Sequence, residues 1–193
     1  IMAQLGIGDY YSDQGLYEKG VYYYSKALEL AQKINNTYLI LYTENCLAGE
    51  YQYQGNYAMA LREYLKGIEI AKKSGNKERL SVFNENIALL YAKQKDYDEA
   101  INYLLISKKL NEIIGDEENS AATWANMASV YADAHQYDYA MFNVNKSIAV
   151  FEKYKVMDWL AFAYETKGKT YLRQGKYKWA LHWYDQCKML HEN

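Results

Sequence analysis

The sequence predicts an all-α solenoid of five antiparallel helix hairpins. Three observations carry this: a forty-residue internal period, helical spacing of apolar residues within each period, and a chain with 23 tyrosines and no proline. The period is plainest in two tyrosine columns, Tyr11, Tyr51, Tyr91, Tyr131, Tyr171 and Tyr17, Tyr57, Tyr97, Tyr137, Tyr177. Small residues keep the same step, as Gly8, Ala48, Ala88, Ala128, Gly168 and as Gly20, Ala60, Ala100, Ala140, Ala180. A larger column runs Tyr24, Tyr64, Leu104, Val144, Tyr184, and a second small one Ala27, Gly67, Ser107, Ser147, Cys187. Such self-similarity marks a stacked repeat architecture.

Within a repeat the spacing is helical. Leu47, Ala48 and Tyr51 form one stripe; Tyr57, Ala60, Leu61, Tyr64, Gly67 and Ile68 form another. Between them Gly55-Asn56 supplies a helix stop, because glycine accepts the left-handed backbone that ends helices. Each repeat is therefore helix A, a tight turn and helix B. Lys95 and His135 replace the glycine in repeats three and four, so those turns either avoid the left-handed state or carry strain. Asn35-Asn36, Gly75-Asn76 and Gly115-Asp116 join the repeats, each a stop followed by an N-cap residue. Lys155-Val156 lacks that pair, and Asp158 is the expected cap there. Small residues let two helices approach, and a tyrosine opposite fills the gap with its hydroxyl on a polar partner. One hairpin cannot bury its stripe alone, so neighbours must stack.

Composition narrows the function classes. A formal charge of −2 argues against a nucleic-acid binder that relies on bulk phosphate attraction. No apolar run reaches a membrane span, and the start lacks a signal-peptide pattern. No phosphate loop, dinucleotide fingerprint, nucleophile elbow or zinc signature is present, so the reading is non-catalytic and cofactor-free. Cys187 and His191 share a helix face at i, i+4, yet Cys187 belongs to a small buried column, which favours core over metal. Asp96, Asp98 and Glu99 open a helix, where acids are expected. KYKWALHWY (176–184) mixes bases with aromatics, but two of its aromatics belong to structural columns.

Leu47-Ala48, Tyr51, Gly55, Tyr57, Ala60, Tyr64 and Gly67 resemble the tetratricopeptide repeat over essentially the whole chain. The departures are a unit of 40 rather than 34 residues and the missing proline, which place the resemblance with long-repeat members. These include kinesin light chain, GoLoco-binding proteins, Rap-type receptors and repeat domains of bacterial sensor kinases and LuxR-type regulators. The extra residues are expected to lengthen both helices. The resemblance implies one right-handed superhelical domain over 1–193, with repeats near 1–36, 37–76, 77–116, 117–156 and 157–193. The start at Ile1 and end at Asn193, without a polar capping helix, lead the reading to expect a piece of a longer protein.

The resemblance also implies a concave groove lined by the A helices. Its slots are Leu5, Asp9 and Asp13; Asn45, Gly49, Gln52 and Tyr53; Glu85, Asn86, Leu89 and Lys93; Ala125, Asn126, Ser129 and Asp133; and Glu165, Lys169 and Arg173. The Lys/Asn clamp of chaperone-binding members is absent. Asparagines here imply hydrogen bonding to an extended segment, since an amide offers both donor and acceptor. The expected occupant is a protein or peptide, with no nucleic acid and no membrane bound by this domain. The role implied is regulatory or sensory, in a bacterial signalling protein. Two alternatives stay open: a scaffold assembling through terminal repeats, including as a homodimer, and the ligand-sensing part of a Rap-type phosphatase regulator with its activity outside this chain. The compartment, cytoplasmic or periplasmic, stays open too.

Overall fold

The computed structural model describes residues 1–192, and all of its regular structure among them is helical. The chain divides into two compact units, 1–90 and 91–193. The first contains α1 (Met2–Asp13), α2 (Tyr17–Lys33), α3 (Thr37–Tyr53), α4 (Tyr57–Ser74) and α5 (Lys77–Lys93) as far as Leu90. The second contains α6 (Tyr97–Ile114), α7 (Glu117–Asp133), α8 (Tyr137–Tyr154), α9 (Met157–Arg173) and α10 (Tyr177–Glu192). Odd-numbered helices are the A helices, even-numbered the B helices. From α2 to α9 each helix has 17 or 18 residues, so the extra length of the repeat does lie in both helices.

The connections obey a stricter rule than the forty-residue period. Residues 15, 35, 55, 75, 95, 115, 135, 155 and 175 all take positive φ, between 50° and 77°. The step is twenty residues, so the turn inside a hairpin and the turn between hairpins are the same object. Lys95 (φ 65°) and His135 (φ 60°) therefore keep the left-handed state at some strain rather than avoiding it. Lys155 (φ 58°) does the same at the fourth junction, which thus has the common geometry without the common residues. The residue that follows each left-handed position is the helix N-cap. Asn36, Asn56, Asn76, Asp96 and Asp116 accept from the N–H three residues on, at 3.0, 3.3, 2.9, 3.4 and 2.9 Å. At the fourth junction the cap is Val156, without a side-chain bond, and Asp158 lies inside the first turn of α9. The expectation that Asp158 caps is corrected: the chain's turn geometry fixes the cap position regardless of which residue could serve it.

In the first unit α1 packs with α2, α3 with α4, and α2 with α3. Its core gathers Leu5, Tyr24, Ala27 and Leu47. Gly8 faces the Tyr24 ring so closely that a Cβ would meet ring carbons at 2.7–3.0 Å. The hydroxyl of Tyr24 donates to Asp9 Oδ1 at 2.6 Å, and that of Tyr64 donates to Gln52 Oε1 at 3.3 Å. Gly67 opens the space for Phe83, a ring with no exposed surface. In the second unit α7 packs with α8, α9 with α10, and α6 and α8 with the A helices that follow them. Its core holds Ala121, Ala125, Ala128, Val144, Phe151, Leu160 and Ala163. Gly168 faces Tyr184, and the Tyr164 hydroxyl donates to Glu152 at 3.0 Å. No helix among the described residues is long and apolar enough to cross a membrane.

Candidate functional site

The expected groove slots lie on the A helices and can be located unit by unit. In the first unit the Asn86 amide nitrogen donates to the Asn45 amide oxygen at 2.7 Å, joining α5 to α3 one repeat apart. Both residues are half-buried. An amide carries two acceptor lone pairs and two donor hydrogens, so this one bond leaves Asn86 its carbonyl oxygen and Asn45 its N–H groups. Gln52 is committed to Tyr64 and thus to the hairpin core. Tyr53 stands 60% exposed at the end of α3, its ring stacked on Tyr17 with centroids 5.3 Å apart. Glu85 is half-buried on α5, one position before Asn86.

In the second unit Lys93 is exposed at the end of α5. Asn126, in the same column as Asn86, is 5% exposed among the small residues of α7. Asp133, Lys169 and Arg173, expected as separate slots, form one cluster. Asp133 Oδ1 accepts from Arg173 at 2.6 Å and from Lys169 at 3.0 Å. Arg173 also donates to the Ala132 carbonyl at 2.6 Å, tying α9 to the end of α7. Two cations on one carboxylate leave an excess positive charge at this cluster. The signal was present in the sequence, because Asp133 and Arg173 occupy one column in successive repeats with opposite sign.

Two features have no counterpart in the slots read from sequence. Arg79, in the first turn of α5, lies over the rings of Tyr38 and Tyr42 on α3. The first unit also buries carboxyl groups. Glu44 on α3 and Glu63 on α4 are 3% and 5% exposed, and Glu44 Oε2 has no partner among the described residues. Burial pushes the Glu44 carboxyl up to about 7, helped by its hydrogen bond to Glu63 and by that group's charge, against the opposing pull of Lys66. Burial raises Glu50 as well, with Ser12 and Asp9 acting in opposite directions. These acids lie in the hairpin interior, where helical periodicity alone would place apolar residues. The Cys46 thiol is pushed up to about 12, chiefly by burial, so it is held in its inert protonated form. Cys187 donates to the Ala161 carbonyl at 3.4 Å, while the side chain of His191, four residues on, lies outside the described residues.

Helix pairs of equal length, joined by one recurring turn and packed through small-residue columns, define a helical-hairpin repeat protein. The chain belongs to the tetratricopeptide repeat family, whose family model matches residues 1–73 and 78–153. Among solved structures it is similar to BtubC from P. vanneervenii, with TM-score 0.80 and 19% identity, covering 96% of this chain and 77% of that one. It is also similar to a putative kinesin light chain from Podosopora anserina, with TM-score 0.74 and 16% identity, over 98% and 94% of the two chains. A Rap protein complexed with Competence and Sporulation Factor matches with TM-score 0.73 and 13% identity, over 98% of this chain and 63% of that one. No curated protein matches the sequence. The tetratricopeptide repeat is generally a non-catalytic module for protein interaction, and the family assignment makes this chain a protein-binding repeat module with protein or peptide partners.

Proposed function

We propose that the chain is a regulatory or sensory module of a signalling protein, and that it binds an extended segment of a protein or peptide along the inner face of its A helices. The observation that carries the reading is the Asn86–Asn45 bond. It fixes two amides across neighbouring repeats and leaves an acceptor on one and donors on the other, the complement of the N–H and C=O of an extended strand. Asn126 repeats the residue type in the second unit, nearly buried on α7. Lys93, Glu85, Tyr53 and the Asp133–Lys169–Arg173 cluster add charge and aromatic surface along the same helices. The solved Rap protein with a similar fold is complexed with Competence and Sporulation Factor, which supports a bound partner for this chain.

Selection of short displayed peptides on the full chain tests the reading. Enriched peptides should bind wild type and lose about thirtyfold on the Asn45→Ala/Asn86→Ala variant, at about 1 kcal/mol for each of two hydrogen bonds. Helical circular dichroism should be unchanged and melting should stay cooperative, with the midpoint lowered only slightly by loss of the inter-helix bond. Peptides that bind the folded double variant with undiminished affinity would remove these residues from the site.

A scaffold is the second reading, favoured by α10, whose Tyr177, Trp179, Leu181 and Met189 are all more than half exposed. It requires concentration-dependent self-association, measured by light scattering and lost on Trp179→Ser/Leu181→Ser. A strict monomer over the accessible range removes it.

A further inference from the structure

We propose that Arg79 reads a carboxylate, so that the segment bound by the first unit carries an acidic group about three residues from the position held by Asn45 and Asn86. This deepens the reading above and rests on it. Arg79 is placed by its own helix end, its N–H donating to the Asn76 cap at 2.9 Å. Its guanidinium carbon then lies 5.3 Å from the Tyr38 ring centroid and 6.0 Å from that of Tyr42. Those tyrosines are one turn apart on α3 and form a two-ring platform. Stacking fixes the plane of the fork and offsets part of its charge, but ring faces accept none of its in-plane N–H bonds.

Among the described residues no carboxylate pairs with Arg79. The ion pairs found in the first unit, Lys26–Glu29, Lys66–Glu63 and Lys73–Glu69, all lie on B helices. Asp9, whose charge is felt together with that of Arg79 at the Cys46 thiol, is engaged by the Tyr24 hydroxyl. A half-buried guanidinium, oriented by aromatic rings and lacking an anion, is a preorganised receptor for a planar carboxylate.

Its distance from the amide pair sets the register. Arg79 and Asn86 are seven residues apart on α5, as are Tyr38 and Asn45 on α3. Two turns of helix on one face span about 10.5 Å. An extended chain covers that in about three residues at roughly 3.3 Å each. A ligand whose backbone meets the amides thus presents to Arg79 either an Asp or Glu side chain or its own C-terminal carboxylate, if the chain ends there.

The test uses the best peptide from the selection, synthesised as the free acid, as the C-terminal amide, and with each Asp or Glu changed singly to Asn or Gln. Binding to the full chain is read by fluorescence anisotropy. Neutralising one carboxylate should weaken binding to wild type about tenfold and leave binding to Arg79→Gln unchanged. Which peptide form shows the loss identifies the side chain or the terminus as its source. Arg79→Lys, which keeps the charge without the stacked fork, should recover only part of the tenfold and serves if Arg79→Gln melts early. If the peptide depends on Asn45 and Asn86 but is indifferent to every carboxylate, or loses equally on Arg79→Gln, this assignment falls and the groove reading stands. If no peptide is enriched, both fall.

Discussion

Gly67→Ala should destabilise the protein, against the expectation from helix propensity. Gly67 is interior to α4, where alanine is worth about 0.8–1 kcal/mol over glycine. A Cβ at this position, however, would enter the edge of the Phe83 ring, overlapping three of its carbons. Phe83 has no exposed surface, so the ring is packed on all sides away from solvent. Overpacking of this depth falls at the upper end of the usual range, about 3 kcal/mol, so the net loss is about 2 kcal/mol. Gly49, interior to α3, supplies the control: a Cβ there meets nothing within 4 Å, and Gly49→Ala should gain about 1 kcal/mol. Urea titrations followed at the helical band measure both, with tyrosine fluorescence checking that one transition is observed. The double variant Gly67→Ala/Phe83→Leu should recover part of the loss, because the shorter side chain leaves room for the methyl. If Gly67→Ala and Gly49→Ala stabilise alike, the close approach of α4 to Phe83 is refuted.

Two other predictions concern the first unit's acids and the recurring turn. The Glu44 carboxyl, raised from 4.5 to about 7, contributes stability that is fully present below its ordinary value and lost as pH rises through about 7. After allowance for solvent screening the loss is on the order of 2 kcal/mol. Glu44→Gln should flatten the fall in urea midpoint between pH 5 and pH 8, and an unaltered slope would place the titration elsewhere. His135→Gly should stabilise by about 1 kcal/mol, since φ 60° costs a residue with a Cβ but not glycine; a lower melting temperature would show that the His135 contact with the Tyr137 hydroxyl, at 2.8 Å, outweighs that strain.

The repeat was legible because its causes are local. A small residue opposite a tyrosine, a left-handed residue before a polar cap, and apolar stripes at helical spacing each leave a mark within a few positions. Repetition at forty residues then multiplies the mark five times. The candidate site was legible as a set of columns and no further. Asn45 and Asn86 are one position out of register in the repeat, yet their amides meet at 2.7 Å. Gln52 holds an inner slot by spacing and is spent on Tyr64. Asp133, Lys169 and Arg173 merge into one cluster because an A helix meets the equivalent face of the next A helix.

By itself, the sequence determined the helices, their hairpin pairing and the family, for hydrophobic spacing and turn chemistry depend on neighbours along the chain. Only the tertiary structure decided that Gly67 yields to Phe83, that Glu44 meets Glu63 away from water, and that Arg79 stands on two tyrosines. Each joins side chains from different helices, and their separation depends on packing that no single stretch of sequence contains.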